Sequence, residues 1–297
     1  RKEKGSAFFK ELILKDLKNV FISRVSDKML NCTDNLIISG FIGVGTVGRY
    51  ANYSMITQAI INILTILANT IQPTIGDYFT EKNYRRNYEI LRQLTFVFFC
   101  ISSVVAAGLF SLITPFICDI WLSPAYELGW GTAVLCIVVL LIKIMGLPLS
   151  LMMGVTGLFE KEKNAGASSA VLNLVVSLAL VRPYGMTGVL LGTLLSYLLQ
   201  ICYRYVIFFR DFLEMKEEAI RYARDLGEYT AVMILEVAVT RRIIPLIYGN
   251  GGMTPFIFCF VLCILVPLAL NGVFFERGWR LQSIVKMVRG MKRSGSR

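Results

Sequence analysis

The sequence predicts an all-α polytopic membrane protein, and three observations support this fold class. Of the 297 residues, 55% are hydrophobic and only 17% are charged. A soluble domain typically has about 45–50% apolar and about 25% charged residues. Several windows exceed the roughly 20 apolar residues that a helix needs to cross a bilayer. Lys and Arg cluster between these windows and at both ends of the chain, as membrane proteins arrange them.

Hydropathy predicts about eight transmembrane helices. Their approximate bounds are residues 19–42, 50–75, 94–117, 131–155, 166–182, 186–209, 228–248 and 252–275. With the N-terminus in the cytoplasm, 24 of the 31 Lys and Arg residues fall on the inner side and four on the outer side. Because basic residues concentrate in cytoplasmic segments, we expect both termini to be cytoplasmic.

The spans predict five regions along the chain. Residues 1–18 form a basic cytoplasmic lead-in, and residues 19–209 form a six-helix lobe. Residues 210–227 form a cytoplasmic amphipathic linker, which leads into two additional transmembrane helices within residues 228–275. Residues 276–297 form a basic cytoplasmic tail. The linker, like the segment after the second span, is rich in basic and aromatic residues, which is typical of helices at an anionic membrane surface. Regulatory docking is the alternative.

Composition argues against several other functions. The seven cysteines form no CxxC pair and mostly lie in apolar segments, which predicts neither a disulfide framework nor a metal site. The chain has no histidine, the commonest metal ligand and a frequent general base. No polar domain is present to carry the net charge of +11 onto nucleic acid. We expect no catalytic residues, no cofactor, no metal and no nucleic-acid partner.

The first predicted span carries polar side chains on one face. Four of them fall within about 60° of one another at 100° per residue, and two aspartates border them. They are Arg24, Lys28, Asn31 and Asn35, with Asp27 and Asp34 beside them. Because hydrocarbon cannot solvate this face, we interpret it as the lining of a water-filled cavity. The alternative is internal neutralisation by ion pairs at helical spacing.

The second span repeats this pattern without charge. Its polar residues share one narrow helical face and are Ser54, Gln58, Asn62, Thr65, Asn69 and Gln72. Hydrogen bonding between helices would also explain this face. Two adjacent polar faces nevertheless favour one shared hydrophilic cavity.

Three further features lie in the later spans. Lys143 is near the centre of the fourth span, where a lysine is a functional candidate, with pairing to Asp27 or Asp34 as the alternative. Glu236 is a similar candidate in the seventh span. In the sixth span, small residues recur on one side and predict a close helix-packing seam. They are Gly185, Gly188, Gly192 and Ser196.

Four stretches resemble one transporter family. "TDNLIISGFIGVGTVGRYANY" is similar to the opening of a half-repeat in the Wzx-type polysaccharide flippases, which belong to the multidrug/oligosaccharidyl-lipid/polysaccharide exporter superfamily. The other stretches are "IQPTIGDYF", "GLFEKEKNAGASSAVLNLVVSLALV" and "YGMTGVLLGTLLSYL". The resemblance implies two six-helix lobes around a central cavity, often with two added C-terminal helices. This chain would supply the C-terminal lobe and the added pair.

The resemblance also implies a function. Such a flippase moves a polyprenyl-diphosphate-linked oligosaccharide across the bacterial cytoplasmic membrane for surface polysaccharide biosynthesis. Cationic cavity residues are proposed to meet the diphosphate in this family, and Arg24, Lys28 and Lys143 fit that role. The expected partners are the lipid-linked oligosaccharide, membrane lipids, H⁺ or Na⁺ as coupling ion, and a polysaccharide polymerase.

Two other functions are weighed against this one. An efflux antiporter for cationic drugs, from the same superfamily, would use acidic cavity residues such as Asp27, Asp34 and Glu236. A membrane polysaccharide polymerase or ligase would need a sizeable outer loop with acid and base groups. The longest predicted outer loop, near residues 118–130, offers only Asp119 and Glu127.

Overall fold

The computed structural model describes four stretches of the chain, residues 32–78, 83–213, 215–249 and 252–275. Ahead of them it describes single helical positions, which are Leu14, Leu17, Lys18, Phe21, Ile22, Val25 and Lys28. Every regular element in these residues is helical, and none of them belongs to a strand. The predicted all-α class is therefore confirmed for the part of the chain that the structure describes.

Seven helices make up the described chain. They are α1 (residues 32–41), α2 (Val44–Tyr78), α3 (Tyr84–Pro115), α4 (Trp130–Thr156), α5 (Phe159–Val206), α6 (Lys216–Tyr248) and α7 (Met253–Phe275). Short π-helical turns extend α3 and α5, at Phe116–Trp121 and Ile207–Phe212. A 3₁₀ turn at Pro124–Tyr126 precedes α4.

Five of the described helices are long and apolar enough to cross a membrane, namely α2, α3, α4, α5 and α7. They contain the second to the sixth and the eighth predicted spans, within a residue or two at the ends. The predicted seventh span lies in α6, which is not among the five. Much of the first lies outside the described residues. By length and composition, these helices are consistent with a multi-pass membrane protein.

Helix α5 contains two predicted spans because the chain turns back within it. Gly185 adopts φ 56° and ψ −136°, a left-handed backbone that only glycine takes up readily. The two halves then contact each other in antiparallel order. The hydroxyl of Ser177 donates to the carbonyl of Val189 at 3.2 Å, and Asn173 donates to the hydroxyl of Thr193 at 3.0 Å. The fifth and sixth predicted spans are therefore the two arms of a helical hairpin.

The predicted small-residue seam joins these two arms. A Cβ atom added at Gly188 would collide with the backbone carbonyl of Leu180, and one added at Gly192 would collide with the side chain of Ser177. Because glycine has only a hydrogen atom in place of a side chain, the two backbones can approach closely at these positions. The seam is confirmed at Gly188 and Gly192, whereas Gly185 forms the turn.

The chain divides into two compact units. Unit 1 comprises Arg1–Tyr78 and Trp130–Glu214, and its helices are α1, α2, α4 and α5. Unit 2 comprises Phe79–Gly129 and Met215–Arg297, and its helices are α3, α6 and α7. The predicted six-helix lobe of residues 19–209 includes α3, but α3 packs against α6 and α7. The units thus divide the chain differently from the predicted regions.

Segments that we predicted as surface helices are the beginnings of longer helices. From Lys216 onward, the predicted amphipathic linker is the first part of α6 and continues without interruption to Tyr248. Helix α3 begins after Asn83, whose side-chain oxygen accepts a hydrogen bond from the backbone N–H of Arg86 at 3.1 Å. Such an N-cap satisfies a donor that the first helical turn leaves unpaired.

Aromatic side chains fill the core of unit 2. The rings of Phe99 and Tyr229 stack with their centroids 4.6 Å apart, and Phe275 meets Phe99 edge to face at 5.7 Å. Nearer the start of α3, the guanidinium of Arg92 donates to the carboxylate of Asp225 at 2.6 Å. These contacts join all three helices of unit 2, and they place α3 parallel to α6.

Candidate functional site

The polar face of α2 lines two adjoining pockets in unit 1. The first, here called the inner pocket, has a volume of about 30 Å³, enough for a water molecule or two. The second, the wide pocket, has a volume of about 280 Å³. Gln58, Ile61 and Lys143 line both pockets. Polar side chains of α2 therefore face shared pockets with polar side chains of neighbouring helices in unit 1.

A buried carboxylate lies at the inner pocket. Asp34 is only 3% exposed, and the hydroxyl of Thr193 lies 2.8 and 2.9 Å from its two oxygens. That hydroxyl accepts a hydrogen bond from the side-chain amide of Asn173. The chain of hydrogen bonds ties α1 to both arms of the α5 hairpin. It also gives the buried carboxylate the partner that burial demands.

Lys143 of α4 lies where the two pockets meet. Its ammonium nitrogen is 4.6 Å from the centroid of the Tyr197 ring, which is within the range of a cation–π interaction. Its charge also attracts the carboxylate of Asp34. A half-buried lysine held by an aromatic face and a nearby carboxylate keeps its cation at a fixed place in the lining.

The wide pocket carries two further cations. Lys28 lines it from the first predicted span, and Arg204 lines it from the second arm of α5. The Nε atom of Arg204 lies 2.8 and 3.1 Å from the two carboxylate oxygens of Glu162. The Nη2 atom of Arg204 donates to the same carboxylate, and this bidentate contact fixes the plane of the guanidinium group. None of the described residues that line the wide pocket is acidic.

Amide and hydroxyl groups fill the rest of the wide pocket's polar lining. Gln58, Asn62 and Thr65 come from α2, Ser150 from α4 and Gln200 from α5. Each amide offers both donors and an acceptor. The lining can therefore meet an anion and a hydroxyl-rich group side by side.

The structure brings together some of the predicted site residues and not others. Lys28, Gln58, Asn62 and Lys143 line the wide pocket, and Asp34 lines the inner one. Asn35 and Asn69 are exposed and line neither pocket. Three predicted residues, Arg24, Asp27 and Asn31, lie outside the described residues.

One face of the sixth predicted span supplies site residues that our sequence analysis missed. Thr193, Tyr197, Gln200 and Arg204 recur at intervals of four, three and four residues, which is the spacing of one helical face. All four line the pockets. The same periodicity test that identified the first two spans would have found them.

The side chains that line the two pockets are suited to binding an anionic group. The described residues contain no group of three or more Cys, Asp or Glu side chains that could hold a metal ion. The pockets instead gather three cations, amides and one buried carboxylate. Such a lining can bind and neutralise an anionic group inside a membrane.

Comparisons with known proteins identify no relative. No protein-family model, no curated protein and no solved structure matches the chain.

Proposed function

We propose that the protein is a flippase that moves a polyprenyl-diphosphate-linked oligosaccharide across the bacterial cytoplasmic membrane for surface polysaccharide biosynthesis. The observation that carries this proposal is the wide pocket, where Lys28, Lys143 and Arg204 meet amide side chains with no acidic residue in the described lining. The proposal places the chain with the Wzx-type flippases that its sequence resembles.

The chemistry of the cargo explains why such a lining is suitable. A diphosphate in hydrocarbon is strongly unfavourable unless cations and hydrogen-bond donors replace its water. Lysine and arginine supply charge, and arginine adds directed N–H groups. Amide side chains match sugar hydroxyls. A volume of about 280 Å³ is close to the lower bound of about 300 Å³ for small-molecule sites, which suits a diphosphate and its first sugar.

Transport by such a flippase requires a coupling ion and partners. The coupling ion would be H⁺ or Na⁺, and Asp34 is the candidate to bind it, because it is the one carboxylate buried in the described part of unit 1. Membrane lipids would solvate the polyprenyl tail, and a polysaccharide polymerase would receive the exported unit. Both termini would face the cytoplasm, as the distribution of basic residues predicts.

A cation-efflux function is less well supported by the same pocket. A site for a cationic drug needs uncompensated carboxylates, whereas the described lining of the wide pocket has three cations and no acid. The acid behind this lining, Glu162, is already bound to Arg204. Glu236, one of the acids that such a transporter would use, belongs to unit 2.

Binding to the purified full-length protein in nanodiscs tests the proposal. We would measure the affinity for a short polyprenyl diphosphate and for the corresponding monophosphate, in the wild type and in Lys143→Gln. A hydrogen bond to a charged group contributes about 1.5–3 kcal/mol, so Lys143→Gln should weaken diphosphate binding by about 10- to 100-fold. The ratio of diphosphate affinity to monophosphate affinity should also be smaller in Lys143→Gln than in the wild type.

Lys216→Gln is the matched control, because Lys216 is an exposed lysine of unit 2. It should bind diphosphate like the wild type. Equal diphosphate affinity in Lys143→Gln and the wild type would contradict the proposal. Uptake of a fluorescent cation into vesicles that contain the protein would favour efflux instead.

A further inference from the structure

A second buried carboxylate lies in unit 2. Glu236 of α6 has no exposed surface, and neither has Ser103 of α3, while Asn271 of α7 is 5% exposed. The amide of Asn271 donates to the hydroxyl of Ser103 at 2.9 Å. The hydroxyl of Ser103 lies beside the Glu236 carboxyl. One polar cluster thus connects the three helices of unit 2.

Several oxygen atoms of the cluster receive no hydrogen bond from the described residues. Neither oxygen of Glu236 has a hydrogen-bond partner among the described residues, and the side-chain oxygen of Asn271 has none either. The hydroxyl of Ser103 donates instead to the backbone carbonyl of Cys100 at 3.0 Å. Leaving a buried polar atom unpaired costs about 1–3 kcal/mol, and more when the atom is charged. Three unpaired acceptors on side chains that are linked through Ser103 therefore call for an added donor.

Among the described residues, no charged side chain of α3 or α7 lies beside the cluster. Helix α7 contains no charged residue, and the charged residues of α3 all lie within its first nine positions. The last of these, Arg92, precedes Ser103 by 11 residues, about 16 Å along the helix, and is bound to Asp225. The nearest cations of α6, Arg241 and Arg242, are exposed. Among the described residues, the thiol of Cys100 on α3 is a titratable group that lies near Glu236.

We propose that Glu236, Ser103 and Asn271 form a proton-binding site in unit 2. In this site the Glu236 carboxyl carries a proton and donates it to the side-chain oxygen of Asn271 or to the hydroxyl oxygen of Ser103. One added proton removes the buried charge and supplies the missing donor at the same time. A hard metal cation such as Mg²⁺ or Ca²⁺ takes about six or more oxygen ligands, and these three side chains supply only four.

Infrared difference spectroscopy tests this site in the purified full chain, in sodium-free buffer at neutral pH. We expect a C=O stretching band of a protonated carboxylic acid in the wild type and its loss in Glu236→Gln. The control Glu228→Gln should keep the band, because the Glu228 side chain is 43% exposed on the same helix. Asn271→Ala should shift the frequency of the band by removing a hydrogen-bond acceptor.

Two outcomes would overturn the proposal. The first is a set of carboxylic acid bands that is the same in the wild type and Glu236→Gln. The second is a Glu236 band that disappears when sodium is added at constant pH, which would identify a metal-cation site. If Glu236→Gln does not fold, ¹³C-labelled glutamate in the wild type answers the same question, since the label shifts the band only if a glutamic acid carries the proton.

Discussion

The two units each bury a carboxylate, but they surround it differently. In unit 1, Asp34 receives the hydroxyl of Thr193 and lies near the cation of Lys143. In unit 2, Glu236 has no hydrogen-bond partner among the described residues. The described part of α7 has no charged residue, and the cations of α3 lie in its first nine positions. A partnered carboxylate can stay ionised in a lining that binds charge, whereas an isolated one is stable only when a proton or cation neutralises it. Burial alone therefore does not define the role of an acid in a membrane helix.

The largest expected effect concerns how the helices approach each other. Gly188→Leu should destabilise unit 1 by about 3 kcal/mol or more, because the added side chain must separate two backbones that touch at Leu180. Gly108→Leu in α3 of unit 2 is the control, since nothing lies within 4 Å of its added Cβ atom. Thermal unfolding and yield of the purified protein in detergent would measure both. Equal melting temperatures for the two variants would show that the α5 hairpin tolerates separation.

A smaller effect is expected from removing the hydrogen bond between Thr193 and Asp34. Thr193→Val removes the hydroxyl that binds Asp34 and leaves the carboxylate without that partner, at a cost of about 1–3 kcal/mol. Thr240→Val provides the comparison in unit 2, because the Thr240 hydroxyl donates only to backbone carbonyls of its own helix, at 2.9 and 3.1 Å. We expect a clear loss of melting temperature in the first variant and a small one in the second. The reverse order would remove the contrast between the units.

The smallest expected effect concerns a partnered carboxylate in unit 2, for comparison with Glu236. Asp225 is a partnered carboxylate there, bound to Arg92 with its side chain 4% exposed. Asp225→Asn should cost about 1 kcal/mol, because the cation of Arg92 then binds a neutral amide oxygen in place of a carboxylate. Glu89→Gln is the control on α3, since its pair with Arg85 is exposed on both sides and such pairs contribute little. Urea or thermal unfolding at low and high salt would measure the two, and salt should affect the exposed pair more.

Local patterns in the sequence determined the membrane class and much of the site. Hydropathy is a property of consecutive residues, so the apolar spans could be placed within a few positions. Helical periodicity is local as well, and it identified the face of α2 that lines both pockets and the glycines that join the arms of α5. The same reasoning, applied to the sixth span, would have added Thr193 and Arg204.

Which helices and polar groups contact each other became known only from the tertiary structure. The hydrogen bond between Asp34 and Thr193 joins residues 159 positions apart, and the contact between Arg92 and Asp225 spans 133 positions. Nothing in the local pattern of α3 specifies that it packs with α6 and α7. In the sequence, Glu236 and Lys143 are both ionisable residues within predicted spans. Their different surroundings become visible only in the structure. The partners of a buried charge come from distant parts of the chain, and those partners set its free energy.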